Sequence, residues 1–402
     1  MTSKQTIGDK IKALRQSKGL TQSELAGEAM TKSMLSQIEN GRAMPSMRSL
    51  QILAERLGVD AGYFLEDDQG AKLARLVRDI EVQFKQKNYN AVVSRVKPLL
   101  DAKLPVTVDA ARLMEFYVAA CYYTGSAGGE EAVARAAEIY ERFGLFVESA
   151  KVQYLTYALL FTQGRYEESL ALILGVRKEY MSKKVGNNFL FELDLHYAES
   201  VTLSALGDYS GSRKAALDAI ALSREEGVYY LTDHFYRVLS NLALMAGSLE
   251  EAGHYLEKSR LYVELSEDRL SVQLLKLAQM RQANAEQRYE DALRIGEEFQ
   301  AEGDRYVSSR SLAAGTALYY LGRDEEALEL LSKVTLTDDV HHPLDRAAVF
   351  TSYAYKARIY ARAGKLEEAR QQSEIAYERV QNYPPSVFCT FIRETYHELH
   401  RQ

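Results

Sequence analysis

Apolar residues recur at helical spacing from one end of the chain to the other. Ile7, Ile11 and Leu14 line one face of a helix predicted over 6–18. Leu25 and Ala26 mark a second short segment, Leu35 and Ile38 a third, and Leu50, Leu53, Ala54 and Leu57 a fourth. Polar residues punctuate them. Thr21 stands where a helix N-cap is needed, with Glu24 three residues on at capping-box spacing, and Thr31 and Ser46 repeat the signal for the next two helices. Gly19, Gly41 and Gly58 are stop signals, and Pro45 forbids continuation. Asp60 caps a fifth, short turn that turns Phe64 and Leu65 inward. Two helices of about eight or nine residues, joined by so short a turn, must cross steeply as in a helix-turn-helix.

The polar stretch 66–71 (EDDQGA) is the predicted boundary, giving a head over 1–66, a linker over 67–71 and a body over 72–402. Beyond it the chain is helical in character almost throughout, and one phrase returns: a Gly, two or three polar residues, Glu, a small residue, then an apolar helix. It begins at Gly164, Gly207, Gly247, Gln287, Gly322 and Gly364, with steps of 43, 40, 40, 35 and 42 residues, and weaker copies start near Lys87 and Ala127. A helix pair of that size cannot bury its apolar side alone, so neighbours must stack. Seven or eight units are predicted between 72 and 381, with a last helix at about 386–400 as a cap.

Composition narrows the function. The chain has 402 residues, too many for one compact core, and 47% of them are apolar. No run approaches the length of a membrane span, and the first residues lack a signal-peptide core, so a cytoplasmic protein that meets no membrane is expected. Cys121 and Cys389 suggest neither a disulfide framework nor a zinc site. Residues 1–66 carry a net charge of +2 and the remainder −8, which suits a head that contacts DNA and a body that binds something else. The seven histidines show no metal spacing, and no phosphate loop or nucleophile elbow is present, so no catalytic residue, metal or cofactor is expected. His341-His342 before Pro343 reads as a solvated turn, and the pairs Tyr122-Tyr123, Tyr229-Tyr230 and Tyr319-Tyr320 read as packing residues.

The head resembles the phage-repressor-like helix-turn-helix family. The motif is Gly19-Leu20-Thr21-Gln22, Glu24-Leu25-Ala26, Ser36-Gln37-Ile38-Glu39-Asn40-Gly41 and Pro45, within residues 6–66. The resemblance implies that the helix from Thr31 to Asn40 enters the major groove. Thr31, Lys32, Ser33, Ser36 and Gln37 then fall on the DNA side. Lys32 can reach guanine, and Gln37 can pair two-pronged with adenine. Gln22, Asn40 and Arg42 suit phosphates. Arg15 and Glu39 match the family's structural ion pair, and members bind operator DNA as homodimers.

The body resembles the tetratricopeptide repeat family, which implies an all-α protein: a five-helix helix-turn-helix domain followed by a right-handed superhelix. Counting back from the end of each first helix puts Tyr154, Tyr197, Arg237, Asn241, Arg281, Asn284, Thr316, Tyr320 and Arg358 on the concave groove. Carboxamides there can bond a peptide backbone, and arginines can hold a carboxylate. Head and body together resemble the peptide-pheromone-responsive transcription regulators of Gram-positive bacteria. That implies a short signalling peptide in the groove, controlling operator binding through the dimer. A body that docks another regulatory protein is the alternative.

Overall fold

The computed structural model describes residues 6–65, 68–102, 104–126, 128–183, 188–266, 268–299 and 306–401. All regular structure among them is helical, and the chain divides into two compact units, 1–120 and 121–402. That division falls later than the 67–71 stretch. Residues 68–71 are the first turn of a long helix rather than a linker, while 66 and 67 lie outside the described residues.

In the first unit, α1 (Ile7–Ser17), α2 (Gln22–Ala26), α3 (Lys32–Glu39), α4 (Met47–Arg56) and α5 (Gly62–Leu65) surround one core. Ile11, Leu25, Leu35, Ile38, Leu50, Leu53, Leu57 and Phe64 are buried in it. Three caps stand where the polar punctuation put them: Thr21 forms a capping box with Glu24, and Thr31 and Ser46 accept from the N–H groups of Met34 and Ser49; Thr6 adds a capping box with Asp9 at the start of α1. α2 is shorter than expected, because Gly27 at φ +50 ends it after five residues. The Leu25 carbonyl is then taken by Arg56 Nη1 at 2.9 Å. Gly8 lets α1 lie against the end of α3: a Cβ there would stand 2.1 Å from the Ile38 carbonyl oxygen. α6 (Asp68–Lys85) and α7 (Tyr89–Asp101) follow as the first antiparallel pair, and α8 (Val108–Thr124) runs on into the second unit.

In the second unit, α9 (Gly129–Arg142) leads into a series of pairs. These are α10 (Phe146–Thr162) with α11 (Tyr166–Lys183), α12 (Phe189–Ala205) with α13 (Tyr209–Glu226), and α14 (Thr232–Met245) with α15 (Leu249–Ser266). There follow α16 (Arg269–Ala285) with α17 (Tyr289–Glu298), α18 (Val307–Tyr320) with α19 (Asp324–Ser332), and α20 (Pro343–Arg362) with α21 (Leu366–Arg379). α22 (Val387–His400) packs on the last pair through Cys389 and Ile392, as a capping helix should.

The repeated phrase explains the pairing. Gly164, Gly207, Gly247, Gly322 and Gly364 all sit at positive φ, where glycine carries no Cβ penalty. Gln287 takes the same conformation at φ +60. The small residue of the phrase (Ser169, Ser212, Ala252, Ala292, Ala327, Ala369) is fully buried. Hydroxyls tie some pairs directly: Ser200 Oγ donates to the Ser212 carbonyl and Ser240 Oγ to that of Ala252, each at 2.9 Å.

Candidate functional site

The head presents one face of α3 to solvent. Leu35, Ile38 and Glu39 are buried, which fixes the helix axially, and the opposite side exposes Thr31, Lys32, Ser33, Met34 and Gln37. Glu39 anchors the far end. Arg15 donates to both of its oxygens, Nε to Oε1 at 2.6 Å and Nη2 to Oε2 at 2.9 Å. Arg15 Nη1 also holds the Leu20 carbonyl at 2.8 Å. Burial alone would raise the Glu39 carboxyl, but the bonds from Arg15 and Gln22 outweigh it and hold the group below its ordinary value.

The eight DNA candidates divide by what else they do. Lys32, Ser33, Gln37 and Arg42 are exposed and make no side-chain hydrogen bond among the described residues. Thr31 caps α3, and Asn40 Nδ2 turns back to the Ser36 carbonyl at 2.8 Å, beside Ser36 Oγ at 3.4 Å. Gln22 Nε2 donates to Glu39 Oε2 at 2.8 Å, so the amide expected on a phosphate is joined to the ion pair, and its backbone N–H stays in the first turn of α2. Sequence reasoning missed two exposed methionines. Met34 lies on α3 and Met44 (79% exposed) just past it; the signal was their place off the 35/38 core spacing.

In the repeat unit, most of the predicted groove residues already hold partners of their own. Tyr197 meets His234 edge-on at 5.6 Å, and Arg237, one turn further along α14, is buried between Asp233 (Nη1 to Oδ2, 2.9 Å) and His234 Nδ1 (3.0 Å). Arg281 faces Asp345 at 3.7 Å. Burial is the main cause that drives the His234 imidazole down to about 4, reinforced by the Arg237 charge. Asn241 shares the α14 face with Arg237, is half-buried, and makes no side-chain hydrogen bond among the described residues. Asn284 Nδ2 donates to the Ala313 carbonyl at 2.8 Å, while its Oδ1 is buried without a partner among the described residues.

The remaining four are engaged elsewhere. Tyr154 stacks on Tyr157 and donates to the Asp194 carbonyl at 3.3 Å. Thr316 lies beside Tyr355, and Tyr320 meets Tyr355 edge-on at 6.1 Å and stacks on Tyr289 at 5.0 Å. Arg358 is held by α22, through Thr395 at 2.7 Å, Glu398 at 3.0 Å and the Phe391 ring at 4.8 Å. The sequence reading missed Asp233, legible as i−4 from Arg237, and Asp345, which nothing in the sequence places beside Arg281.

The turn at His341-His342 is not the solvated loop expected. The His341 carbonyl accepts from Tyr166 Oη at 2.8 Å, His342 Nδ1 accepts from the Leu344 N–H at 3.2 Å, and its ring packs on Phe161. Of the tyrosine pairs, Tyr319 packs on Tyr355 as predicted, but Tyr123 and Tyr229 are more than half exposed. No group of His, Cys, Asp or Glu among the described residues could hold a metal, and none of the described helices is long and apolar enough to cross a membrane.

The head's geometry and its sequence agree on a class: residues 11–64 match the helix-turn-helix family, so the first unit carries a helix-turn-helix domain. Among particular proteins, the immunity repressor protein of Bacillus phage phi105 is 27% identical over 95 residues. That match covers 23% of this chain and 62% of the repressor. The structure of PlcR from Bacillus thuringiensis, in complex with the peptide PapR7 and DNA, is 18% identical. It covers 67% of this chain and 99% of that one, with a TM-score of 0.41. A PrgX mutant is 13% identical over 63% of this chain and 99% of its own, with a TM-score of 0.28.

Proposed function

We propose that the protein binds an operator as a homodimer through α3, and that a short peptide held by the repeat unit at Asn241 and Arg281 controls the binding. The observation that carries the first part is the division of α3: one side locked by Leu35, Ile38 and the Glu39 ion pair, the other offering Lys32, Ser33 and Gln37 unengaged. A rigid helix with free donors at its N-terminal half can read base edges. One head makes few contacts and binds weakly, so a dimer reading half-sites about 34 Å apart supplies both affinity and selectivity.

The peptide reading is supported by Asn241. A half-buried carboxamide without a hydrogen bond among the described residues leaves a donor and an acceptor unused, the pair that an extended backbone complements. Arg281, opposed only loosely by Asp345, can take a guest's carboxylate. A peptide that binds one arrangement of the repeat unit more tightly shifts the population of heads competent for DNA.

The test is fluorescence anisotropy of a labelled operator, with and without candidate peptides. Peptide-dependent operator affinity that disappears in Asn241→Ala, with unliganded binding unchanged, supports the reading. Affinity indifferent to every peptide of a secreted-peptide library removes the ligand half.

A further inference from the structure

The repeat unit closes on itself. Tyr166 Oη donates to the His341 carbonyl at 2.8 Å and Tyr209 Oη to that of Pro385 at 2.5 Å, spanning 175 and 176 residues of sequence. Gly207 lies against Pro384 so tightly that a Cβ there would stand 3.0 Å from the proline's own. The contact is a seam between the α12–α13 turn on one side and the Pro384-Pro385 turn with α22 on the other.

A cavity of about 420 Å³ opens at that seam, within the ~300–1,000 Å³ typical of ligand pockets. Tyr209, Leu242 and Met245 wall it on one side, and Val387, Phe391 and Glu394 on the other. Phe391 is held in place by Tyr355 at 4.6 Å and by Arg358 from the side. Met245 stands eight residues after Arg237, so the cavity continues the α14 face that carries Asn241. Glu394 is the one charged lining residue, and it makes no ion pair among the described residues. At the carboxyl end of α14 the carbonyls of Leu242, Ala243 and Leu244 already accept from Ala246, Ser248 and Gly247, so Glu394 supplies the negative charge of the site. The first turn of α22 offers less to an anion, because Ser386 Oγ already takes the Cys389 N–H.

We infer that this cavity is a binding site for an apolar group carrying a neighbouring positive charge, an aryl or alkyl ammonium. A free amine of that kind and the amino end of a peptide share this chemistry. Because the walls belong to opposite sides of the seam, the bound group bridges them and holds the ring shut. The site is separate from the hydrogen bonds proposed for Asn241 and stands or falls by itself.

The test is saturation-transfer NMR on the full-length protein, with 2-phenylethylamine, 2-phenylethanol and phenylacetate as probes and Phe-Ala-amide beside its N-acetyl form as the peptide arm. Saturable binding in the order amine, alcohol, acid is expected, with the amine about five-fold tighter than the alcohol. Glu394→Gln, on the surface, should abolish that preference, and Met245→Trp, which fills the cavity, should abolish binding. Amide exchange over 387–394 should slow when the amine is bound. A Phe-Ala-amide that binds more tightly than its acetylated form assigns the site to peptide amino ends; equal affinity of the two assigns it to free amines. Absence of saturable binding by the amine, or binding unchanged in Glu394→Gln and Met245→Trp alike, overturns the proposal, and neither result touches Asn241.

Discussion

Arg15 and Glu39 meet in the interior of the head with two parallel hydrogen bonds, 24 residues apart in sequence, and Gln22 adds a third donor to the same carboxylate. α1, the start of α2 and the end of α3 are thereby fixed to one group. Breaking a buried pair strands a charge and costs about 3–5 kcal/mol. Arg15→Ala should therefore destabilise the first unit by roughly 3 kcal/mol or more, read by urea denaturation at neutral pH.

The same carboxylate predicts acid sensitivity. Its folded-state pKa lies below the ordinary glutamate value of about 4.3, so its stabilising contribution is complete above that value. It is lost as pH falls through the folded value. Glu39→Gln should remove this part of the acid transition.

The repeat unit should weaken earlier on acidification. Burial first, and the charges of Arg177 and Arg237 next, push His196 and His234 down to about 4. Both are neutral in folded and unfolded chains above the ordinary histidine value of about 6.5. Below it the unfolded chain takes up protons that the folded chain refuses, so stability falls between about 6.5 and about 4. The slope is up to ~1.4 kcal/mol per pH unit for each histidine. Thermal melts across that range should show it, and His234→Gln should flatten it.

Gln287 occupies a turn that glycine fills in the five other clear repeats, at φ +60. A left-handed conformation costs an ordinary residue about 1–2 kcal/mol, of which glycine's extra unfolded-state freedom takes back a part. Gln287→Gly should leave the melting temperature unchanged or raise it by a few degrees, whereas Gly247→Ala should lower it.

Much of this was legible in the sequence, because much of it is local. Thr21, Thr31 and Ser46 cap their helices through bonds reaching only three residues, and the glycines end theirs through their own φ. Gln287 could be placed in a glycine's position because the phrase around it kept its period. The failures are non-local. Polarity suggested a linker at 67–71, but the helix of 68–85 begins there. His341 and His342 read as solvated because nothing near them in sequence shows Tyr166 or Phe161. The groove positions could be counted along each helix but their partners could not: Arg358 is held by α22 and Arg281 faces Asp345, neighbours set by how the repeats wind.

On the head, side chains divide by what they could touch. Gln37→Ala should weaken operator binding by about ten-fold or more while sparing non-specific duplex, since a good base contact contributes about 1–3 kcal/mol of discrimination. Arg42→Ala should weaken both and reduce the salt slope by about one. Equal losses for the two variants would contradict the split.

The most direct test of a DNA reader governed by its repeat unit is operator affinity as a function of salt, measured by anisotropy on the full-length protein with duplexes selected from a random library. The account predicts an enriched sequence with two related half-sites, bound with log affinity falling linearly in log salt and lost in Gln37→Ala. A protein that enriches no sequence, or binds duplex with no salt dependence, would contradict it.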